Sequence, residues 1–191
     1  PGIGVGGYCL TKDPLLASWA SENFFGLTNG LESSVQAVEW NDKMPQYCFE
    51  FVINILRKYN RKSFNIGLLG VAYGPGIGDT RFSPVEDFYN RLSGEFDQIV
   101  LQDPYISHWA EMSLDVETSL PVFFQSNFDV LIITTGHRDY VESDNIYKLI
   151  ASVEKQPLII DTVGLLDLNK LPSSYSQNDN FYVLGVGYNK E

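Results

Sequence analysis

Five short apolar runs separated by helical stretches organise the larger, C-terminal part of the chain. They are NIGLLGVAY (residues 65–73), QIVLQDPY (98–105), DVLIITT (129–135), PLIIDT (157–162) and FYVLGVG (181–187). Each is rich in β-branched or aromatic residues without strict alternation, the pattern of strands covered on both faces. Between the first two, SPVEDFYNRL predicts a helix with Ser83 as N-cap, Pro84 at the first helical position and Glu86 at the capping-box position. Between the third and fourth, SDNIYKLIASV predicts another, capped by Ser143 or Asp144. Such alternation specifies an α/β fold with a parallel sheet and right-handed crossovers. Ligands then belong at the carboxyl ends of the strands, along a rim of residues 73–81, 103–105, 135–137 and 161–164. The polar SSYSQNDN (173–180) reads as a surface loop.

Upstream the period is helical. Cys48, Phe51, Val52, Ile55, Leu56 and Tyr59 recur at helical spacing between residues 41 and 59, an apolar face that must pack on something. Pro45 suits the first turn of this helix, or kinks a longer one running from Leu31 to Tyr59. LLASWASENF (15–24) predicts an earlier helix that stops near Gly26, with Thr28-Asn29-Gly30 as the turn between them. The glycine-rich opening PGIGVGGYCLTKDP (1–14) is expected to be a loop built for close approach, not a regular helix or strand. The basic Arg61-Lys62 pair marks the boundary between a helical segment, residues 1–62, and a sheet domain, residues 63–191.

Composition narrows the partners. With 24 acidic against 13 basic residues and a net charge of -11, the chain lacks the positive footprint that nucleic acid or an anionic membrane requires. The 44% hydrophobic content supports a packed core and excludes disorder as the main state. No run approaches the ~18 apolar residues of a membrane span and no basic-then-apolar leader opens the sequence, so a soluble, cytoplasmic protein is expected. Two cysteines in unrelated contexts do not make a disulfide framework. Because the chain starts at Pro1 and its first methionine is Met44, a piece of a longer protein is expected.

Three places could carry chemistry. Cys9 lies in the glycine stretch with Lys12 three and Asp13 four residues on; a nearby ammonium activates a thiol as a nucleophile, and the carboxylate could orient a water. Read alone, Cys9 is more readily a small buried hydrophobe, the role that the apolar helix face assigns to Cys48, than a nucleophile. The second place is GVAYGPGIGDTRFSP (70–84), where Gly70, Gly74, Gly76 and Gly78 allow backbone N–H groups to approach a ligand. Arg81 offers a fork donor there, although it could equally pair with Asp79. The third is His137 at a strand end, expected to bond neighbouring backbone. Neither His137 nor His108 has partners at metal-ligand spacing, so no metal site is expected.

Three segments together resemble the UDP-glucose/GDP-mannose dehydrogenase family, NAD-dependent nucleotide-sugar 6-dehydrogenases. GVGGYCLTKDP is similar to the Gly-Gly-x-Cys-x-x-Lys-Asp signature of that family. NDKMPQY (41–47) resembles the start of its long central helix, and LLGVAYGPGIGDTRFSP the first strand and loop of its C-terminal Rossmann-like, doubly wound domain. The resemblance implies that the complete protein oxidises the C6 alcohol of a UDP- or GDP-sugar to a uronate, a reaction of polysaccharide biosynthesis. Cys9 would form a thiohemiacetal and then a thioester, Asp13 would assist the water, Lys12 and Arg81 would contact NAD, and Gly6, Gly7, Tyr73 and Gly74 would contact the sugar nucleotide. It further implies a homodimer through the central helix. The family's N-terminal NAD-binding domain is not among these 191 residues, so they are not expected to turn over alone. Three positions depart from the family pattern: Gly74 and Phe82 replace a frequent lysine and glutamate, and Val163 replaces a frequent arginine. Those departures keep open a non-catalytic nucleotide-sugar-binding or dimerisation module, while the bulky Tyr8 beside Cys9 points to an N-acetylhexosamine rather than glucose.

Overall fold

The computed structural model describes residues 2–59, 61, 63–177 and 179–184, without the side chains of residues 143 and 177. Two long helices open the chain, α1 (Tyr8–Phe25) and α2 (Glu32–Leu56). There follow β1 (Ile66–Leu69), α3 (Val85–Ser93), β2 (Ile99–Gln102), the two-residue strands β3 (His108–Trp109) and β4 (Leu114–Asp115), and α4 (Leu120–Phe123). The chain continues through β5 (Val130–Ile133), α5 (Arg138–Val141), α6 (Asn145–Ser152), β6 (Leu158–Asp161), α7 (Ser173–Gln177) and β7 (Phe181–Val183). All five predicted strands form. The hinge residue Lys62, the Ser143 side chain and residues 185–187 of the last apolar run lie outside the described residues.

The main sheet is parallel throughout, in the order β2-β1-β5-β6-β7. Numbered along the chain, this is the 2-1-3-4-5 order of a doubly wound fold, with its switch point between β1 and β5. Both faces of the sheet are covered, as uninterrupted apolar strands require. Ile66, Leu68, Val130 and Ile132 join Val52, Ile55, Leu56, Val85 and Phe88 on one side. Leu69, Leu131, Ile133 and Ile159 join Phe123, Tyr140, Ile146 and Ile150 on the other. The apolar stripe of α2 is therefore matched to the sheet: Cys48, Val52, Ile55 and Leu56 are almost fully buried.

Three local expectations need correction, and one alternative is decided. The opening glycine stretch is a loop only as far as Gly7; residues 8–14 are the first turns of α1, with Pro14 inside the helix. Proline removes only its own N–H, leaving the Leu10 carbonyl without a helical donor while the φ it imposes is helical. Of the two alternatives for Pro45, the longer helix holds: the proline is internal to the single α2. Asp144 caps nothing: it adopts a left-handed φ of 56° and its carboxylate pairs with Lys170 at 2.9 Å. The polar segment read as a loop contains α7, anchored by Tyr175, which is buried and donates to the Pro157 carbonyl at 2.8 Å.

Candidate functional site

The cleft lies where the topology puts it. Above the C-terminal ends of β1 and β5, a cavity of about 310 Å³ is walled by Tyr73 and Gly74 on one side, Thr135 and Gly136 on the other, and Val163. The opening residues Gly2, Ile3 and Gly4 complete it. The strand ends meet closely here. A Cβ on Gly70, whose φ is 96°, would stand 2.5 Å from the Thr135 Cβ. Thr135 Oγ1 donates to the Ala72 carbonyl at 2.7 Å, and Thr134 Oγ1 donates to the carbonyls of Leu69 and Gly70.

The glycine loop is seated on this rim by contacts far apart in sequence. Gly7 N donates to the Phe82 carbonyl at 3.3 Å. A Cβ on Gly6 would lie 2.7 Å from that same oxygen, 2.7 Å from Pro84 Cδ and 2.8 Å from Tyr73 Cβ, so no larger residue fits. From the other side Asn41 on α2 holds Val5 through two bonds, accepting from its N–H at 2.7 Å and donating to its carbonyl at 2.8 Å. This positioning of the loop by Asn41 is one that sequence reasoning missed, because a polar residue on a helix reads as a solvated face. Tyr8 meets Phe82 edge-on, with ring centroids 4.9 Å apart. Phe82, one of the departures from the family pattern, has a φ of 56°.

The helical start of α1 is what brings the candidate catalytic residues together. Cys9 and Asp13 are one turn apart on the same face, and Cys9 and Lys12 are likewise neighbours, because i, i+3 and i+4 positions adjoin on a helix. Cys9 is exposed, whereas Cys48 is buried. Lys12 Nζ stands 3.1 Å from Asp13 Oδ1, with both side chains more than half exposed. That hydrogen bond and its charge raise the Lys12 ammonium above its ordinary value. Burial pushes the Cys48 thiol up to about 12, so that sulfur is inert packing material.

Arg81 is held in a fork by Asp79, with Nη2 2.7 Å and Nε 3.2 Å from Asp79 Oδ2. The side-chain and backbone bonds from Arg81 lower the Asp79 carboxyl to about 2. The Arg81 side chain is nonetheless 73% exposed.

His137 and Asp103 brace the rim from beneath. Asp103 Oδ2 accepts from the Val71 and Ala72 amides at 2.8 and 3.0 Å, and Oδ1 accepts from Tyr105 N at 2.9 Å. Burial alone would raise its pKa, but the bonds from His137 and these amides outweigh it and hold the carboxyl below its ordinary range. Asp161 at the end of β6 accepts from Val163, Gly164 and Leu166. There burial wins, and its pKa is raised. Asp103 falls in the QDPY segment, but its bracing role had no sequence signal beyond a strand-end carboxylate. No group of three His, Cys, Asp or Glu side chains able to hold a metal occurs among the described residues, and no helix described is long and apolar enough to cross a membrane.

A parallel sheet with its cleft at the switch point, a glycine-rich strand-to-helix loop and a second glycine loop closing the rim define a nucleotide-binding α/β unit. Comparison with known proteins specifies it further. Residues 67–168 match the UDP-glucose/GDP-mannose dehydrogenase family, UDP binding domain; this is more than half of the chain, which belongs to that family. A UDP-N-acetyl-D-mannosamine dehydrogenase of Pyrococcus horikoshii is 31% identical over 160 residues, 78% of this chain and 37% of that protein. A UDP-glucose 6-dehydrogenase of Rickettsia bellii is 27% identical over 178 residues, 90% of this chain and 39% of its own. The solved structure of a UDP-D-ManNAc dehydrogenase from Pyrococcus horikoshii matches with a TM-score of 0.72 at 28% identity, covering 96% of this chain and 39% of that one. The chain thus spans well under half the length of these relatives.

Proposed function

We propose that the chain is the catalytic-loop, central-helix and C-terminal part of a cytoplasmic, NAD-dependent nucleotide-sugar 6-dehydrogenase. The observation that carries this reading is the placement of Cys9: exposed on the first turn of α1, one helical turn before Asp13, and directly after a glycine loop that walls the switch-point cleft. A sugar nucleotide lying in the cleft against Tyr73, Gly74 and the loop of Gly6 and Gly7 would extend its reacting carbon toward that sulfur. The prevalence of N-acetylmannosamine enzymes among the relatives and the bulk of Tyr8 favour an N-acetylhexosamine substrate.

The residues fit a dinucleotide only at its phosphates. Lys12 and Arg81 are exposed cations on segments that touch through Tyr8 and Phe82. Each is tied to a carboxylate in a solvent-screened pairing, which a phosphate could replace. When bound, NAD supplies the hydride acceptor for both oxidations. Cys9 Sγ adds to the carbonyl carbon of the C6 aldehyde, forming a C–S bond while the carbonyl electron pair moves to oxygen. Loss of the remaining C6 hydrogen as hydride leaves a thioester. Water then adds to that carbon, Asp13 accepts its proton, and the C–S bond breaks to release the uronate and restore the sulfur. Covalent capture retains the aldehyde between the two oxidations.

The exposed Trp19, Phe24, Phe25, Trp40 and Tyr47 of α1 and α2 supply the apolar surface for a homodimer through the central helix. A second reading, a non-catalytic nucleotide-sugar-binding or dimerisation module, is favoured by one observation. None of the described residues lining the cleft is charged, so these residues offer an anionic diphosphate only dipoles. The deciding experiment is expression of the complete reading frame with NAD and a panel of UDP- and GDP-sugars. Two equivalents of reduced cofactor per sugar, abolished by Cys9→Ala, are expected; sugar binding unaffected by that substitution, with no reduction of NAD, establishes the second reading instead.

A further inference from the structure

Phe82 combines a strained backbone with an exposed side chain. Its φ of 56° is a left-handed conformation that glycine adopts freely and that marks strain in a bulky residue. The residue is 57% exposed, so burial of the ring does not offset that strain. Strained backbone persists where the surrounding contacts over-determine it, and it gathers at functional sites. The contacts of Phe82 run to the opening of α1. Its carbonyl accepts from Gly7 N at 3.3 Å, and its ring meets that of Tyr8, the residue next to Cys9, at an interplanar angle of 80°. On the same Tyr8 ring, Lys12 Nζ stands 5.3 Å from the centroid. Gly7, which precedes the helix, gives the first turn no side-chain cap, so that turn lacks its usual anchor. Phe82 supplies one through both its backbone and its ring. It is not among the described residues that line the switch-point cleft, so it acts on the support of the sulfur and not on a ligand in the cleft.

We infer that Phe82 is a positioning residue for Cys9: its ring props Tyr8, and with it the first turn of α1, so that the sulfur meets the C6 aldehyde before that aldehyde leaves the cleft. The inference rests on the dehydrogenase reading. Without the ring the turn loosens, formation of the C–S bond is delayed, and the aldehyde from the first oxidation escapes. The first hydride transfer does not involve the sulfur and proceeds as before.

The test uses the complete reading frame with NAD, the panel of UDP- and GDP-sugars, and a hydrazine that traps released aldehyde. Phe82→Gly and Phe82→Ala both remove the ring. With the sugar nucleotide that the parent oxidises, each is expected to lower kcat at least about tenfold, because a misplaced reacting group costs rate, while KM stays within about twofold, because ground-state binding is untouched. Hydrazone should accumulate, and reduced cofactor should fall from two equivalents per sugar toward one. Phe82→Tyr, which keeps the ring, should restore both kcat and stoichiometry. Parental kcat in the ring-deleted variants, a loss of kcat without hydrazone, a KM that rises as kcat falls, or a tyrosine variant as impaired as the alanine one would each overturn the role. Glycine takes this φ without strain, so Phe82→Gly carries the test even if the alanine variant does not fold. A parent that reduces no NAD with any sugar defeats the dehydrogenase reading itself; an active parent beside unimpaired Phe82 variants defeats this inference alone.

Discussion

His137 Nε2 lies 3.1 Å from Asp103 Oδ2, with both side chains fully buried. Gly76 N donates to His137 Nδ1 at 3.0 Å, so Nδ1 is unprotonated and the proton resides on Nε2, pointing at the carboxylate. One imidazole thereby ties the glycine loop after β1 to the ends of β2 and β5. Replacing it by a ring without nitrogens, His137→Phe, orphans the Gly76 amide and removes a donor from a buried carboxylate. A loss of about 3 kcal/mol is expected, read as a lower urea midpoint with unchanged m-value.

The seating of the catalytic loop depends on the absence of a side chain at position 6. Gly6→Ala places a methyl 2.7 Å from the Phe82 carbonyl and Pro84 Cδ, so the loop must lift away from Tyr73. We expect a destabilisation of about 1–3 kcal/mol. In the complete enzyme, loss of turnover should exceed what the change in stability explains. Full activity of the alanine variant would show that the loop does not need this contact.

The two thiols should separate cleanly by reactivity. Cys9 is exposed and Cys48 is buried, with its pKa raised to about 12. Native protein treated with an alkylating reagent at neutral pH is expected to take up one equivalent at Cys9, and a second only in denaturant. Peptide mapping distinguishes the sites, and modification of Cys48 under native conditions would contradict the packing described.

Acid stability has an identifiable contributor in Asp129. Its carboxylate accepts both Arg61 guanidinium nitrogens, at 3.0 and 2.9 Å, the Asn65 amide at 3.1 Å and Lys155. Burial opposes ionisation, but these bonds prevail and lower the carboxyl from 3.8 to about 2. A depressed folded-state pKa adds stability above the unfolded value and loses it as pH falls toward the folded one. The contribution is about 2 kcal/mol at neutral pH, from 1.36 kcal/mol per unit. Asp129→Asn should therefore unfold more readily at pH 7, and the gap from the parent should narrow between about pH 4 and pH 2. A constant gap across that range would exclude the linkage.

The sequence alone determined the sheet, because its signals are local. Runs such as VLII and LIID, with apolar residues on consecutive positions, suit strands buried on both faces, and their alternation with helical segments dictates parallel crossovers. It also supplied the residue types of the candidate site through the glycine-cysteine-lysine-aspartate spacing. Tertiary structure decided where those residues stand. Glycine density and Pro14 argued locally against a helix at Tyr8. Docking of Gly6 on Phe82 and Pro84, together with the clasp of Asn41 on Val5, nevertheless sets the loop so that α1 begins one residue before the cysteine. Only that helix places Cys9, Lys12 and Asp13 on one exposed face. The bracing pair of His137 and Asp103 and the contact of Tyr8 with Phe82 were equally illegible, since they arise from groups distant in sequence and belong to no local pattern.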